Sequence, residues 1–224
     1  MEGEVIKRVA SAICIVTIII VALVLGKLWI QLLIAVFLGL MLYEWAVMNI
    51  RAFGDIDATG ASMRAASRLL LLLVGIAYIA SPMLYWIHAL GHTDRYDVVW
   101  CMAVVSACDV AAYFGGRLFG GPKLVPNISK NKTWSGAVSG FMAGFVASYV
   151  FAAHLVSINA GVLLCSVIMP LAAIFGDLLE SKTKRMLNVK DSGGIIPGHG
   201  GVCDRLDSFL LVSYVVMLLR VLGS

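Results

Sequence analysis

LWIQLLIAVFLGLMLYEWAVM, Leu28–Met48, carries a single charged side chain, Glu44, in an otherwise largely apolar run. A helix of about 20 such residues crosses the hydrocarbon core of a bilayer. Six more blocks repeat the pattern: Val9–Leu25, Leu69–Ala89, Tyr96–Gly116, Trp134–His154, Val156–Leu179 and Ser208–Val221. The composition agrees. Hydrophobic residues make up 61% of the 224 and charged residues 13%, against about 25% charged in a soluble domain. The reading is an all-α, polytopic integral membrane bundle of about seven transmembrane helices.

Lys7 and Arg8 before the first block resemble the start of a secretory signal. Its apolar core is long, no small-residue cleavage site is evident, and a second block follows at once, so it reads as an uncleaved anchor. With the N-terminus in the cytoplasm, all but three of the 17 Lys+Arg fall on the cytoplasmic side, the exceptions being Lys27, Arg95 and Arg220. That obeys the positive-inside rule. The same arrangement puts every charged, glycine-rich loop on the cytoplasmic face. The net charge of +4 is expected of loops beside anionic lipid and calls for no nucleic-acid partner.

Cys14, Cys101, Cys108, Cys165 and Cys203 form no CxxC pair, and four lie inside predicted spans. They read as small apolar residues, with neither a disulfide framework nor a zinc site. Repeats and low-complexity runs are absent. Residues 1–224 read as one membrane domain, with N-terminal helices over 1–108 and a catalytic half over 109–224. Two dense polar loops, 117–133 and 180–207, belong to the second part.

Ionisable residues inside apolar blocks point to function by default. Glu44 reads equally as an interfacial residue beside Trp45. Asp109 lies about two helical turns before Arg117, so a structural salt link competes with a functional reading. Asp177 lies about one turn before Ser181 and two before Lys184 and Arg185, near one helix end. In the loop beyond it, Asp204 and Asp207 are spaced to share a helix face if a helix begins near Cys203, with Asp204 as a capping residue.

Capping does not account for the mixture in KDSGGIIPGHGGVCDRLDS, Lys190–Ser208. Glycines let backbone N–H groups approach phosphate oxygens. Lys and Arg neutralise phosphate charge. Carboxylates hold Mg²⁺ bridged to substrate phosphates. The loop before it repeats these devices with Gly115, Gly116, Arg117, Gly120, Gly121, Lys123, Ser129, Lys132 and Thr133. Neither loop holds GxxxxGK[ST], which excludes a Walker-type site. The combination predicts a metal–nucleotide phosphate site.

SKTKRMLNVKDSGGIIPGHGGVCDRLDS, Ser181–Ser208, closely resembles the signature of the CDP-diacylglycerol synthase (phosphatidate cytidylyltransferase) family. The matching elements are Ser181, Lys184–Arg185, Lys190–Asp191, His199–Gly200–Gly201 and Asp204–Arg205–Leu206–Asp207. FGD ending at Asp177 and DVAAYFGGRLFGGPKL from Asp109 are similar to flanking family segments. PNISKNKTWSG resembles the family's Pro–Ile–Ser…Lys–Thr loop, departing from it at Lys130, Asn131 and Ser135.

The resemblance implies cytidylyl transfer from CTP to phosphatidate, giving CDP-diacylglycerol and pyrophosphate. It assigns Asp177, Asp204 and Asp207 to the catalytic cation, Mg²⁺, with a second cation left open. Lys190, Asp191 and His199 join the catalytic set, His199 shaping the phosphate loop or protonating the leaving pyrophosphate. Ser181, Lys184, Arg185, Gly200, Gly201, Arg205, Asp109, Arg117, Ser129, Lys132 and Thr133 would contact CTP or the lipid phosphate. The membrane would be a bacterial inner membrane with the site on its cytoplasmic face, and a homodimer is left open. A CTP-dependent lipid-alcohol kinase and a cytidylyltransferase for another lipid phosphate remain as alternatives, and a transporter as a remote one.

Overall fold

A computed structural model describes residues 2–53, 61–92, 96–155, 159–198 and 200–222. It contains seven α-helices: α1 (Glu2–Leu25), α2 (Lys27–Phe53), α3 (Ala61–His92), α4 (Tyr96–Phe119), α5 (Trp134–Leu155), α6 (Ala160–Met186) and α7 (Cys203–Leu222). Within α2 to α6, the stretches Lys27–Ala52, Ala66–Gly91, Tyr96–Phe119, Trp134–His154 and Ala160–Met186 are long and apolar enough to cross a membrane. About seven transmembrane helices were expected; among the described residues seven helices are present and five of them reach span length and hydropathy. Val9–Leu25 of α1 is shorter. In α7, Asp204, Arg205 and Asp207 occupy the opening turns and dilute its hydropathy.

Helical backbone satisfies its own polar groups, which lipid requires. Outward faces carry rows of exposed apolar side chains, such as Val138, Met142, Val146 and Val150 on α5. A row spaced by four residues lies along one helix face, as expected of a surface turned to lipid.

One segment differs from the all-α expectation. Within the loop 117–133, β1 (Lys123–Val125) pairs antiparallel with β2 (Ser129–Thr133). Val125–Pro126–Asn127–Ile128 closes the hairpin, Ile128 N–H donating to the Val125 carbonyl at 3.1 Å. Proline and asparagine supply ordinary turn chemistry there.

The chain divides into two compact units. The first, Met1–Arg95 with Lys184–Leu206, contains α1, α2 and α3. Trp45 Nε1 donates to the Leu72 carbonyl at 3.0 Å and Gln31 Nε2 to the Ile87 carbonyl at 2.7 Å, tying α2 to α3. The second unit, Tyr96–Thr183 with Asp207–Ser224, is built on α4 packed against α5.

Gly136, Gly140 and Gly144 recur every fourth residue along α5, the small-residue spacing that lets helix backbones approach closely. A methyl group added to Gly136 would stand 2.8 Å from the Ala112 carbonyl oxygen, and one on Gly140 2.9 Å from the Cys108 carbonyl oxygen. Ser208 Oγ donates to the Ala173 carbonyl at 2.9 Å, fixing α7 to α6 in the same unit. Arg220 and Asp97 close the far end in an ion pair at 2.6 Å.

Candidate active site

Helix α6 ends in a reciprocal cap. Asn188, at φ 55°, takes the left-handed conformation. Val189 N–H donates to the Lys184 carbonyl at 2.9 Å and Asn188 N–H to the Arg185 carbonyl at 3.2 Å, the two bonds of a Schellman motif. This stop fixes the backbone of Lys184 and Arg185. The Arg185 guanidinium reaches the Val189 carbonyl at 3.3 Å and is exposed.

From that anchor Lys184 Nζ meets Asp204 Oδ1 at 2.7 Å, with side chains 14% and 9% exposed. Asp204 also accepts the Ser192 N–H at 3.1 Å and the Gly201 N–H at 2.9 Å, both on Oδ2. Asp204 is not the capping residue of α7. Val202 holds that position, its carbonyl accepting Arg205 N–H at 3.0 Å and Leu206 N–H at 3.2 Å.

Between these anchors, Ile196 and Gly200 form a bridge that pinches the loop. Lys190, Asp191 and Arg205 are exposed, so the loop offers charge of both signs to solvent. His199 lies outside the described residues.

Glu44 departs from the interfacial reading. It is 2% exposed, in the same unit as the loop. Its carboxylate accepts Val202 N–H and Cys203 N–H, each at 2.9 Å, and the Ser192 hydroxyl at 3.2 Å. The sequence signal was a carboxylate inside an apolar block; its partner, nearly 160 residues away, had no local mark.

The second unit holds the other predicted residues. Lys132 Nζ pairs with Asp177 Oδ1 at 2.6 Å, the side chains 23% and 39% exposed. Thr133 is buried and caps α5, its Oγ1 accepting the Gly136 N–H at 3.1 Å, as a threonine N-cap does. Ser135 Oγ lies 3.1 Å from Thr133 Oγ1 and donates a short bond to the Gly120 carbonyl. Ser135, one of the departures from the family pattern, thereby ties the glycine turn before the hairpin to α5. Arg117 donates to the Tyr113 hydroxyl at 2.9 Å. Ser129 lies in β2, and Ser181 is half-buried near the end of α6.

Asp207 precedes the apolar part of α7. Burial pushes its carboxyl well above the usual range, and the charges of Asp177, Glu180 and Asp109 push it further. The N–H of Ser208, which donates to Oδ1 at 2.7 Å, opposes that shift. The charges of three carboxyl groups of this unit thus bear on Asp207. Their oxygens are the hard donors that Mg²⁺ takes. The donor chemistry of Asp177 and Asp207 fits a divalent ion, although no group of three His, Cys, Asp or Glu among the described residues forms a ready-made metal cage.

Residues 56–222 match the protein family described as the cytidylyltransferase family. A phosphatidate cytidylyltransferase of Rickettsia conorii is 34% identical over 230 residues, covering 98% of this chain and 93% of that protein. The chain belongs to the cytidylyltransferase family. The homologue from Rickettsia felis is 33% identical over 234 residues, 96% of this chain and 92% of its own length. The Brucella suis phosphatidate cytidylyltransferase is 41% identical over 122 residues, 54% of this chain. Against this relative the chain spans less than half the length, 45%. The full-length cytidylyltransferase matches thus agree with the family resemblance of Ser181–Ser208.

Proposed function

We propose that this chain is a phosphatidate cytidylyltransferase of a multi-pass membrane protein type, with its N-terminus and its charged loops on the cytoplasmic side of a bacterial inner membrane. One observation carries the activity: similarity across 98% of the chain to a phosphatidate cytidylyltransferase. The orientation rests on the lysine and arginine distribution.

In the reaction a phosphate oxygen of phosphatidate attacks the α-phosphorus of CTP. The bond between that phosphorus and the oxygen bridging to the β-phosphate breaks, and pyrophosphate leaves with the electron pair. The nucleophile is largely ionised near neutral pH, so a general base contributes little. The obstacle is the meeting of two polyanions, which positioning and charge neutralisation overcome.

Arg185 at the end of α6, Lys190 in the loop and Arg205 in the first turn of α7, all exposed, supply cationic contacts for triphosphate and lipid phosphate. Lys132, Arg117, Ser129 and Asp109 are the further substrate contacts that the family resemblance assigns. Thr133 contributes by fixing the end of the hairpin through its cap on α5. Ser181, Gly200 and Gly201 shape the loop ends, and His199 and Asp191 complete the set that the signature assigns.

Asp177 and Asp207 would hold Mg²⁺, which supplies charge neutralisation at the phosphates when bound. The signature adds Asp204. Lys184 holds Asp204 in its orientation. The acyl chains stay in the bilayer throughout.

CTP labelled at the α-phosphate, incubated with phosphatidate and Mg²⁺ in detergent or membranes, should transfer label to lipid, and EDTA should stop it. Label passing to lipid only from the γ-phosphate would replace this reading with a lipid kinase.

A further inference from the structure

Val202 is a poor residue at a helix N-terminus. The first N–H groups of a helix lack partners within it, and Ser, Thr, Asp or Asn normally supplies a side-chain oxygen. Valine has none. The oxygens come instead from Glu44 on α2, which accepts the N–H groups of Val202 and Cys203. The positive end of the α7 dipole also favours an anion there.

The contact reaches further than the cap. Ser192 donates its hydroxyl to Glu44 and its N–H to Asp204. One residue therefore links the buried carboxylate to the carboxylate of the signature. The backbone is shaped to admit Glu44. A methyl group on Gly193 would stand 2.8 Å from Glu44 Oε1, and one on Gly201 2.5 Å from Oε2. Two glycines of the loop thus make room for a protein carboxylate.

We infer that Glu44 is a positioning residue for the proposed cytidylyl transfer: through Ser192 and the Val202–Cys203 turn it sets the orientation of Asp204. The inference rests on the reading of this chain as a cytidylyltransferase. It predicts an effect on turnover beyond the effect on folding, because a displaced Asp204 misaligns reacting groups that still bind. Removing such outer-shell support typically costs 10–100-fold in activity.

The test compares wild type, Glu44→Gln, Ser192→Ala and the double variant, purified as monodisperse detergent-solubilised protein. The readouts are thermal unfolding and α-labelled CTP transfer to phosphatidate per folded molecule. Glu44→Gln keeps the shape and one acceptor oxygen but loses the charge. The expected result is a kcat lower by about 10-fold or more, with KM for CTP within about 2-fold. The loss in the double variant should be smaller than the product of the single losses, since both act through one contact.

Three results would overturn the inference: unchanged kcat with a lowered melting temperature, a raised KM at unchanged kcat, or multiplicative losses in the double variant. Should Glu44→Gln not fold, Ser192→Ala alone carries the test, and an unchanged kcat there overturns it equally. Wild-type protein that transfers no α-label refutes the functional reading instead, so the two failures are distinct.

Discussion

Alanine at Gly140 and alanine at Gly39 should move stability in opposite directions. Both glycines lie within long apolar helices, and replacing glycine by alanine in a helix interior gains up to about 1 kcal/mol from propensity alone. At Gly39 of α2 an added methyl group meets nothing within 4 Å. That gain should appear undiminished. At Gly140 the methyl group lands 2.9 Å from the Cys108 carbonyl oxygen and 3.1 Å from the Ala112 methyl carbon. Neither neighbour is the flexible end of a side chain, so α4 and α5 must separate.

Overpacking of this kind costs about 1–3 kcal/mol. The propensity gain is common to both variants and cancels in the comparison. Gly140→Ala should therefore fall about 1–3 kcal/mol below Gly39→Ala, at roughly 2–4 °C of melting temperature per kcal/mol for a chain of this size. Thermal unfolding of both variants in the same detergent reads the difference. Equal shifts, or a larger gain at Gly140, would refute the close approach of α4 and α5.

Lys184→Met should lower stability by about 3 kcal/mol, the low end for breaking a buried ion pair, because Asp204 keeps its two N–H donors. Adding Asp204→Asn should recover part of that loss in the same unfolding assay, and a further loss would contradict the pairing. Lys132→Met should cost no more than about 1 kcal/mol, since the pair with Asp177 is partly exposed. Transfer of α-label should nevertheless fall sharply in this variant. Unchanged activity would remove Lys132 from the substrate-binding set.

The helices were legible because apolar length is a local property. Val9–Leu25 and Tyr96–Gly116 match the observed elements closely at one or both ends. The hairpin of Lys123–Thr133 was not, because five lysine, serine, asparagine and threonine residues in β2 carry no apolar alternation. Its signal was the Pro126–Asn127 turn. Thr133 illustrates a different limit. Its residue type suits a phosphate contact and a helix cap equally, and only the position of the Gly136 N–H identifies the cap. Glu44 shows the same limit over a longer range: a carboxylate in an apolar block announces a buried partner, but the partner lies in a loop far along the chain.

The two aspartates of Asp204–Arg205–Leu206–Asp207 look equivalent in the sequence and stand in opposite surroundings. Asp204 is met by an ammonium and two N–H groups, so its negative charge is already compensated by the protein. Asp207 is met chiefly by burial and by the carboxylates of Asp177 and Glu180, so its charge is resisted. A divalent cation relieves repulsion among carboxylates far more than it improves a carboxylate already paired with lysine. Asp177 resembles Asp204 in this respect, since Lys132 meets it at 2.6 Å, whereas Asp207 has burial and neighbouring carboxylates against its charge. Asp204 is held in place by Lys184 and is linked through Ser192 to Glu44. The glycine-rich loop is thus pinned by a buried carboxylate behind it and by a basic residue at its start, and those rigid contacts fix where Asp204 points.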